Sequence, residues 1–368
     1  MKHFKMILLI IIAGLIFPIP SYAEPPRVTA GAAILMDVET GQVLFAKKER
    51  NHKDPASLTK IMTAIVALEA GNLDDVVTIS KRAAYFARGS IIDIRKDEQI
   101  TLENLLRAAL IMSANDTTIA IAEHVGGGDY GRFVQWMNIK AKLLGACDTC
   151  FENTHGFTAP NHKTTAYDLA LITRYALHNP TFAKIVSTKK TTIRWYNSER
   201  EVTINNTNRL LRGNYVGIDG VKTGTTSAAG HCLIASATRD GRQLVAVVLR
   251  SDARYQDAKK LLTYGFEEVP AVTAAVRKQE IGRVEVKGGW QPEVAAVVGE
   301  TVVLYIPEGR EQNLRTRIWL DRTVEAPVGE GRAVGRMDFI LDGLRLGSTS
   351  LVAGQTVEHK PWYCHLLP

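Results

Sequence analysis

Apolar residues in the first two thirds of the chain follow two different periods. Residues 32–38 and 43–46 are short β-type runs on either side of a turn at Gly41, and this pattern predicts a hairpin. Over residues 57–70 the apolar positions recur at helical spacing, and Gly71 is a natural end for that helix. Further helices are predicted over residues 102–111, 117–124, 130–144, 165–178 and 252–264, and further strands at Val221, 233–237 and 243–249.

Strand patterns stand at both ends of this region, with a helical block between them. We therefore expect one sheet whose edge strands come from distant parts of the chain. After Pro270 the pattern changes to short β-rich runs separated by Gly, Pro and Glu turns, without a helical period. The fold class predicted is α+β, with a mixed domain over residues 24–268 followed by a small all-β domain over residues 271–360.

The N-terminus has the three parts of a secretory signal. Lys2 and Lys5 precede an apolar run over residues 6–17, and Ser21 and Ala23 place small residues at a cleavage site. A membrane anchor is the alternative, but the run is shorter than the about 20 residues that span a bilayer. We expect residues 1–23 to be removed and the chain to be exported to the periplasm or cell envelope.

Composition and charge change this picture little. The 368 residues are 46% hydrophobic and 23% charged, which excludes wholesale disorder and a multi-span membrane protein. Lys and Arg exceed Asp and Glu by 45 to 38. This excess is too small to indicate a nucleic-acid-binding patch, and no nucleic-acid partner is expected.

The cysteines and histidines indicate no metal site. Four cysteines are too sparse for a disulfide scaffold. Cys147 and Cys150 form a C-x-x-C, which in an exported chain is interpreted as an incidental local disulfide or as two unpaired thiols. The nine histidines form no H-E-x-x-H or H-x-H pattern, so neither a metal nor another cofactor is expected.

Ser57 and Lys60 form an S-x-x-K pattern at the start of the predicted apolar helix. Side chains three positions apart share one helix face, so the lysine amine can reach the serine hydroxyl. Lysine can act as the base that activates this serine if burial and nearby positive charge lower its pKa. Ser187 and Lys190 repeat the pattern in a polar stretch, which we interpret as solvated surface.

Ser113 and Asn115 follow a predicted apolar helix in the pattern S-x-N. One interpretation is a helix cap, because Ser, Asn and the following Asp116 all suit that position. The other places a second hydroxyl and a side-chain amide on a loop facing the Ser57 site, where Ser113 relays a proton and Asn115 orients the substrate. The motif by itself favours the cap.

Lys222, Thr223 and Gly224 lie in a run that has the character of an edge strand. An extended peptide can add alongside such an edge, with the lysine and the threonine holding its terminal carboxylate. The alternative is that both side chains occupy the solvent face of the strand. A phosphate-binding loop is excluded, because that motif requires Gly-Lys-Thr after a longer glycine loop.

The three motifs occur in the order S-x-x-K, S-x-N, K-T-G, and this set resembles the penicillin-recognising serine acyl-transferases. The similarity extends to the low-molecular-mass penicillin-binding proteins, which are D-alanyl-D-alanine carboxypeptidases. It includes DPASLTKIMT at residues 54–63, NTNRLL at 206–211, DGVKTG at 219–224, His155-Gly156 and the small β domain. The resemblance covers nearly the whole chain after residue 23 and implies a transpeptidase domain made of a sheet and a helical subdomain.

The resemblance also implies roles for individual residues. Ser57 would form an acyl-enzyme with the penultimate D-alanine of the substrate, Lys60 would be its general base, and Ser113 would relay a proton. Arg209 and His155 would be structural rather than catalytic. The implied substrate-binding residues are Asn115, Lys222, Thr223, Gly224 and Thr225, and the backbone N–H groups of Ser57 and Thr225 would form the oxyanion hole.

Peptidoglycan stem peptides ending in D-Ala-D-Ala and β-lactam antibiotics are the partners that the resemblance implies. Many relatives end in an amphipathic helix on the membrane, but residues 357–368 are too short and too bounded by proline for one. Peripheral membrane contact is therefore left open, and membrane anchoring is not predicted.

Three alternatives share the same motifs or the same fold. A serine β-lactamase is disfavoured, because the sequence has no E-x-x-L-N pattern and a β-lactamase is not expected to carry the extra β domain. A D,D-endopeptidase would use the same residues, and only the β domain favours a carboxypeptidase over it. A non-catalytic cell-wall-binding or β-lactam-sensing protein is disfavoured, because a pure binder need not keep a nucleophile and its base together.

Overall fold

The computed structural model describes residues 24–361. Its eight α-helices are α1 (Lys60–Ala70), α2 (Lys81–Ala84), α3 (Leu102–Arg107), α4 (Asp116–Val125), α5 (Tyr130–Leu143), α6 (Ala166–Leu177), α7 (Pro180–Ser187) and α8 (Arg254–Glu267). Its strands up to residue 249 are β1 (Ala32–Asp37), β2 (Val43–Lys47), β3 (Val76–Thr78), β4 (Gln99–Thr101), β5 (Lys190–Arg194), β6 (Glu201–Asn205), β7 (Ile218–Thr226), β8 (Gly230–Arg239) and β9 (Arg242–Leu249).

A five-stranded antiparallel sheet organises the first part of the chain, in the order β2-β1-β9-β8-β7. One face of the sheet packs against α8 through Leu261 and Leu262. The other face packs against the helical block that includes α1, α4 and α6. Burial of both faces explains why β9 reads as a continuous apolar run rather than as an alternating pattern.

The edge strands of this sheet are β2 and β7, which come from opposite ends of the region. The prediction of a single sheet with distant edge strands is therefore confirmed. Edge strand β7 carries the K-T-G motif, and the contacts of β7 include α7 and the turn before α1. This arrangement brings the end of the sheet up to the start of the apolar helix.

The second part of the chain is an all-β region. Its strands are β10 (Ala271–Ala275), β11 (Glu280–Lys287), β12 (Glu293–Val298), β13 (Val302–Tyr305), β14 (Leu314–Leu320), β15 (Thr323–Glu325), β16 (Ala333–Leu341) and β17 (Leu344–Ala353). Six of them form a sheet in the order β14-β16-β17-β12-β11-β15, and β10 pairs with β13. Alternate residues such as Val284, Val286 and Phe339 fill a separate core. The predicted fold class is confirmed.

The structure corrects several element boundaries. The helix predicted over residues 57–70 begins as a 3-10 turn (Ala56–Thr59), and the helix predicted over residues 102–111 passes into a π-helical turn (Ala108–Met112). Helix α7 was missed, although Asn179 caps it and Pro180 occupies its first position. Short strands β3, β4, β10, β12 and β15 were also missed, because runs of three to six residues carry little periodic signal.

The predicted signal segment (residues 1–23), the end of the C-terminal tail and Cys364 lie outside the described residues. Within residues 24–361, no helix combines the length and the apolar character that crossing a membrane requires. Cys147 and Cys150 are both exposed and unbonded, which corresponds to the second of the two predicted alternatives.

Candidate active site

Ser57 lies in the 3-10 turn that precedes α1, and two glycines allow neighbouring segments to approach this turn closely. A Cβ atom on Gly156 would stand 1.8 Å from the carbonyl oxygen of Ala56, and Gly156 has a φ of +97°. A Cβ on Gly224 would stand 3.2 Å from the backbone nitrogen of Ser57. Ala56 itself adopts a left-handed conformation with φ of 48°. The Ser57 turn is thus held between the loop at Gly156 and strand β7.

Lys60 is fully buried at the first position of α1. Its Nζ is 3.0 Å from Ser57 Oγ, 2.6 Å from Asn115 Oδ1 and 2.8 Å from the carbonyl oxygen of His155. Burial, and then the positive charge of Lys222, hold the pKa of Lys60 well below its usual value. A lysine that loses its proton readily and touches a serine hydroxyl has the geometry of a general base.

Asn115 is at the N-cap position of α4, but its side chain does not cap the helix. Its Oδ1 accepts a hydrogen bond from Lys60, and its Nδ2 donates to the carbonyl oxygen of Arg88 at 2.8 Å. Ser113, which ends the π-helical turn in a left-handed conformation, is largely buried. The structure therefore decides between the two interpretations of S-x-N in favour of a site that faces Ser57.

Lys222 is also buried, which excludes the alternative that it lies on the solvent face of β7. Its Nζ donates a hydrogen bond to the carbonyl oxygen of Thr223 at 3.1 Å. Burial, with a contribution from the charge of Arg254, lowers the pKa of Lys222 to about 7. The hydroxyl of Thr223 donates to Thr207 Oγ1 at 2.7 Å. The K-T-G motif thus lies at the cleft side of the edge strand.

A cavity of about 140 Å³ adjoins Ser57. Ser113, Asn115 and Thr225 reach this cavity together with Ser57, so most of the predicted site residues meet at one place. Arg209 instead lines a different cavity with His231 and Arg254. The second S-x-x-K lies at the end of α7, and Lys190 is exposed there, as the surface interpretation predicted. The remaining lining residues of the Ser57 cavity are Gly89, Ser90, His155, Gly156, Phe157 and Thr226.

His155 contributes its backbone rather than a charged ring. The ring stacks on Phe86 at a centroid distance of 4.8 Å, and its Nδ1 accepts from the backbone N–H of Phe157. Burial, assisted by the charge of Lys60, lowers the pKa of His155 to about 3. The imidazole is therefore neutral at physiological pH and is part of the wall of the cavity.

Sequence reasoning missed Arg254 and Asp116. Arg254 Nη1 donates to the carbonyl oxygen of Gly224 at 3.1 Å and lies 2.9 Å from Thr225 Oγ1. Asp116 is buried and accepts hydrogen bonds from the backbone N–H groups of Ile92 and Thr117. The S-A-N-D sequence placed Asp116 next to the motif, but no local pattern marks Arg254. Among residues 24–361, no three His, Cys, Asp or Glu side chains come together as metal ligands would.

A buried serine–lysine pair at the head of an apolar helix, facing an edge strand with K-T-G, defines the class of penicillin-recognising serine peptidases. Comparison with known proteins agrees with this class. The family model described as D-alanyl-D-alanine carboxypeptidase matches residues 20–253. A second model, described as the C-terminal domain of penicillin-binding protein 5, matches residues 271–359.

Individual relatives match along most of the chain. The D-alanyl-D-alanine carboxypeptidase DacD of Escherichia coli is 33% identical over 95% of this chain and 92% of its own length. A crystal structure of penicillin-binding protein 5 from Haemophilus influenzae aligns with a TM-score of 0.77 at 31% identity, covering 91% of this chain and 99% of that chain. The chain belongs to the D-alanyl-D-alanine carboxypeptidase family, and the predicted carboxypeptidase activity is confirmed at this level.

Proposed function

We propose that the chain removes the terminal D-alanine from peptidoglycan stem peptides through an acyl-enzyme on Ser57. The observation that carries the proposal is the 3.0 Å contact between Ser57 Oγ and the buried amine of Lys60. In the same cavity, Ser113, Asn115 and Thr225 supply the hydroxyl and amide groups that such a reaction needs.

Acylation begins when neutral Lys60 accepts the proton of Ser57 and Oγ attacks the carbonyl carbon of the penultimate D-alanine. The backbone N–H groups of Ser57 and Thr225 stabilise the oxyanion of the tetrahedral intermediate. The C–N bond then breaks, and the amine of the departing D-alanine receives a proton from Lys60 through the hydroxyl of Ser113. Asn115 holds both the Lys60 amine and the backbone of the peptide substrate.

The terminal carboxylate of the substrate docks at the K-T-G end of β7. Lys222 supplies positive charge there, and the hydroxyl of Thr223 supplies a hydrogen bond. Gly224 lets the strand approach the Ser57 turn. We add Arg254 to this group, because its guanidinium contacts both Gly224 and Thr225 and therefore lies beside the same stretch of strand.

Water then attacks the ester carbonyl, the bond to Ser57 Oγ breaks, and the shortened peptide leaves. A β-lactam enters the same site, because its strained amide carbonyl meets Ser57 as the peptide carbonyl does. Its ring nitrogen stays tethered to the acyl group after the C–N bond opens. We therefore expect a penicillin to leave a covalent adduct on Ser57.

We further propose that residues 1–23 direct export to the cell envelope, that residues 24–268 form the catalytic domain and that residues 271–360 form the β domain. Helix α8 ends at Glu267 and β10 begins at Ala271, which supports the second boundary. Mass spectrometry of the exported chain tests the first boundary, and a mature N-terminus other than Glu24 would require it to be revised.

The experiment that tests the mechanism compares wild type with Lys60→Ala and Lys60→Arg. Wild type is expected to release D-alanine from a peptide ending in D-Ala-D-Ala and to carry labelled penicillin on Ser57. Both variants should fold and lose at least about a hundredfold in kcat/KM, because arginine keeps the positive charge but does not give up its proton.

Three outcomes would contradict the proposal in different ways. Normal acylation of Lys60→Arg would remove Lys60 from the base role. Rapid release of hydrolysed penicillin by wild type would indicate a β-lactamase. Absence of both free D-alanine and a Ser57 adduct would overturn the mechanism altogether.

A further inference from the structure

The two sides of the scissile bond lie in different directions from Ser57. The proposed carboxylate site is at the earlier residues of β7, from Lys222 to Gly224. The cavity beside Ser57 is lined instead by the later residues of the strand, Thr225 and Thr226. The part of the stem peptide that precedes the D-alanine pair, which is the acyl donor, must therefore run into this cavity.

The wall of the cavity that faces Thr226 is formed by Gly89, Ser90 and Phe157. Arg88 lies at the outer end of this wall, with its guanidinium carbon 5.0 Å from the centroid of the Phe157 ring. Arg88 is exposed, so its charged group stays in contact with solvent at the mouth of the cavity. A cation stacked on an aromatic ring is held at that place while its N–H donors remain available.

The backbone of Arg88 is fixed relative to the catalytic groups. Its carbonyl oxygen accepts from Asn115 Nδ2 at 2.8 Å, and the backbone N–H of Asn115 donates to the carbonyl oxygen of Ser90 at 2.7 Å. The same Asn115 contacts Lys60 through Oδ1. The position of Arg88 is thus tied to the base of the reaction through a single residue.

The charge of Arg88 is not neutralised by the protein. Among the ion pairs of residues 24–361, none includes Arg88. The nearby carboxylates are engaged elsewhere: Asp93 pairs with Arg95 and Arg200, and Asp116 accepts backbone N–H groups. Neutral His155 adds no charge to the wall.

We propose that Arg88 is a specificity-determining residue on the acyl-donor side of the site. It favours stem peptides in which the residue before the D-alanine pair carries a carboxylate on its side chain. The carboxylate would pair with the free face of the Phe157-stacked guanidinium. This inference rests on the proposed function, because it assumes that the peptide is acylated by Ser57.

The experiment measures D-alanine release from three acetylated peptides, X-D-Ala-D-Ala. X is a diamino acid with a side-chain carboxylate (2,6-diaminopimelate), its carboxamide, or L-lysine, which lacks the carboxylate. Wild type is expected to prefer the carboxylate over the carboxamide by about two- to fivefold in kcat/KM, which is the range of a solvent-exposed ion pair. Arg88→Gln should remove that preference, and higher salt should weaken it in wild type.

Arg95→Gln is the matched control. It removes the same charge from the same loop, where Arg95 is exposed and pairs with Asp93 rather than reaching the cavity. Its preference should equal that of wild type, and thermal melting checks that both variants fold. An unchanged preference in Arg88→Gln, or no preference in wild type, overturns this inference alone. Failure of wild type to release D-alanine from all three peptides would instead overturn the proposed function.

Discussion

Two lysines with different tasks lie in the interior of one active site. Lys60 must lose its proton to activate Ser57, whereas Lys222 must keep its proton to attract the substrate carboxylate. Burial lowers the pKa of both, and the charge of Lys222 lowers that of Lys60 further. The two lysines therefore set opposite limits to the pH range of activity: acid protonates Lys60, and base neutralises Lys222.

The pH dependence of kcat/KM tests this division. Lys222, with a pKa of about 7, is positive below that pH and neutral above it, so kcat/KM should fall as the pH rises through about 7 in the free enzyme. Lys222→Arg should move this descending limb upward by at least about one pH unit, because arginine stays charged. The measurement is kcat/KM for a D-Ala-D-Ala peptide between pH 5 and about 10.

Lys190→Arg is the control for this prediction, because Lys190 belongs to the surface copy of S-x-x-K and is exposed. Its profile should coincide with that of wild type. If Lys222→Arg folds but keeps the wild-type descending limb, another group is responsible for that limb, and Lys222 does not act as the charged carboxylate-binding group.

At the level of elements, the site depends on how closely a loop, a turn and a strand approach each other. The loop at Gly156 touches the turn that carries Ser57, and β7 touches it from another side. The same loop supplies the His155 carbonyl oxygen to Lys60. A displacement of this loop would therefore change both the position of the nucleophile and the surroundings of its base.

Gly156→Ala should lower both stability and acylation. The added Cβ would stand 1.8 Å from the Ala56 carbonyl oxygen, so the Ser57 turn must move. We expect a loss of unfolding free energy greater than the about 1–2 kcal/mol of a left-handed alanine, together with slower penicillin acylation. Gly241→Ala is the control, since Gly241 has a φ of +79° but nothing within 4 Å of an added Cβ. Equal effects in urea unfolding and equal acylation rates would refute the steric argument.

The sequence was sufficient for the elements and residues that have local signatures. Helix α1 has a clear apolar period, and S-x-x-K places its two groups on one face within four positions. Contacts across the chain have no such signature. Thr59 Oγ1 lies 2.8 Å from His162 Nε2, and Arg254 reaches Gly224 from the start of α8. Only the packed sheet brings these segments together, so neither residue could be assigned from its neighbours in sequence.

At the scale of the whole molecule, the central sheet separates two tasks. Strand β7 at one edge borders the active site, and strand β2 at the opposite edge lies next to the β region. The side chain of Gln42, just before β2, donates to the carbonyl oxygen of Tyr305 and accepts from its backbone N–H. Arg242 lies over the Tyr305 ring at 3.6 Å and pairs with Asp37. The junction between the two parts is therefore held three strands away from β7.

Gln42→Ala tests whether this junction is independent of catalysis. The variant leaves two backbone groups of Tyr305 without their side-chain partner, so the two parts should separate more readily and the segment between Glu267 and Ala271 should be cut faster by a protease. The rate of D-alanine release from a small peptide should stay within about twofold of wild type, because β1, β9 and β8 lie between Gln42 and β7. Gln243→Ala, which loses a hydrogen bond to Asp219 within the catalytic sheet, is the matched control and should not speed cleavage of that segment. A parallel loss of peptide turnover in Gln42→Ala would show that the junction and the active site are coupled through the sheet.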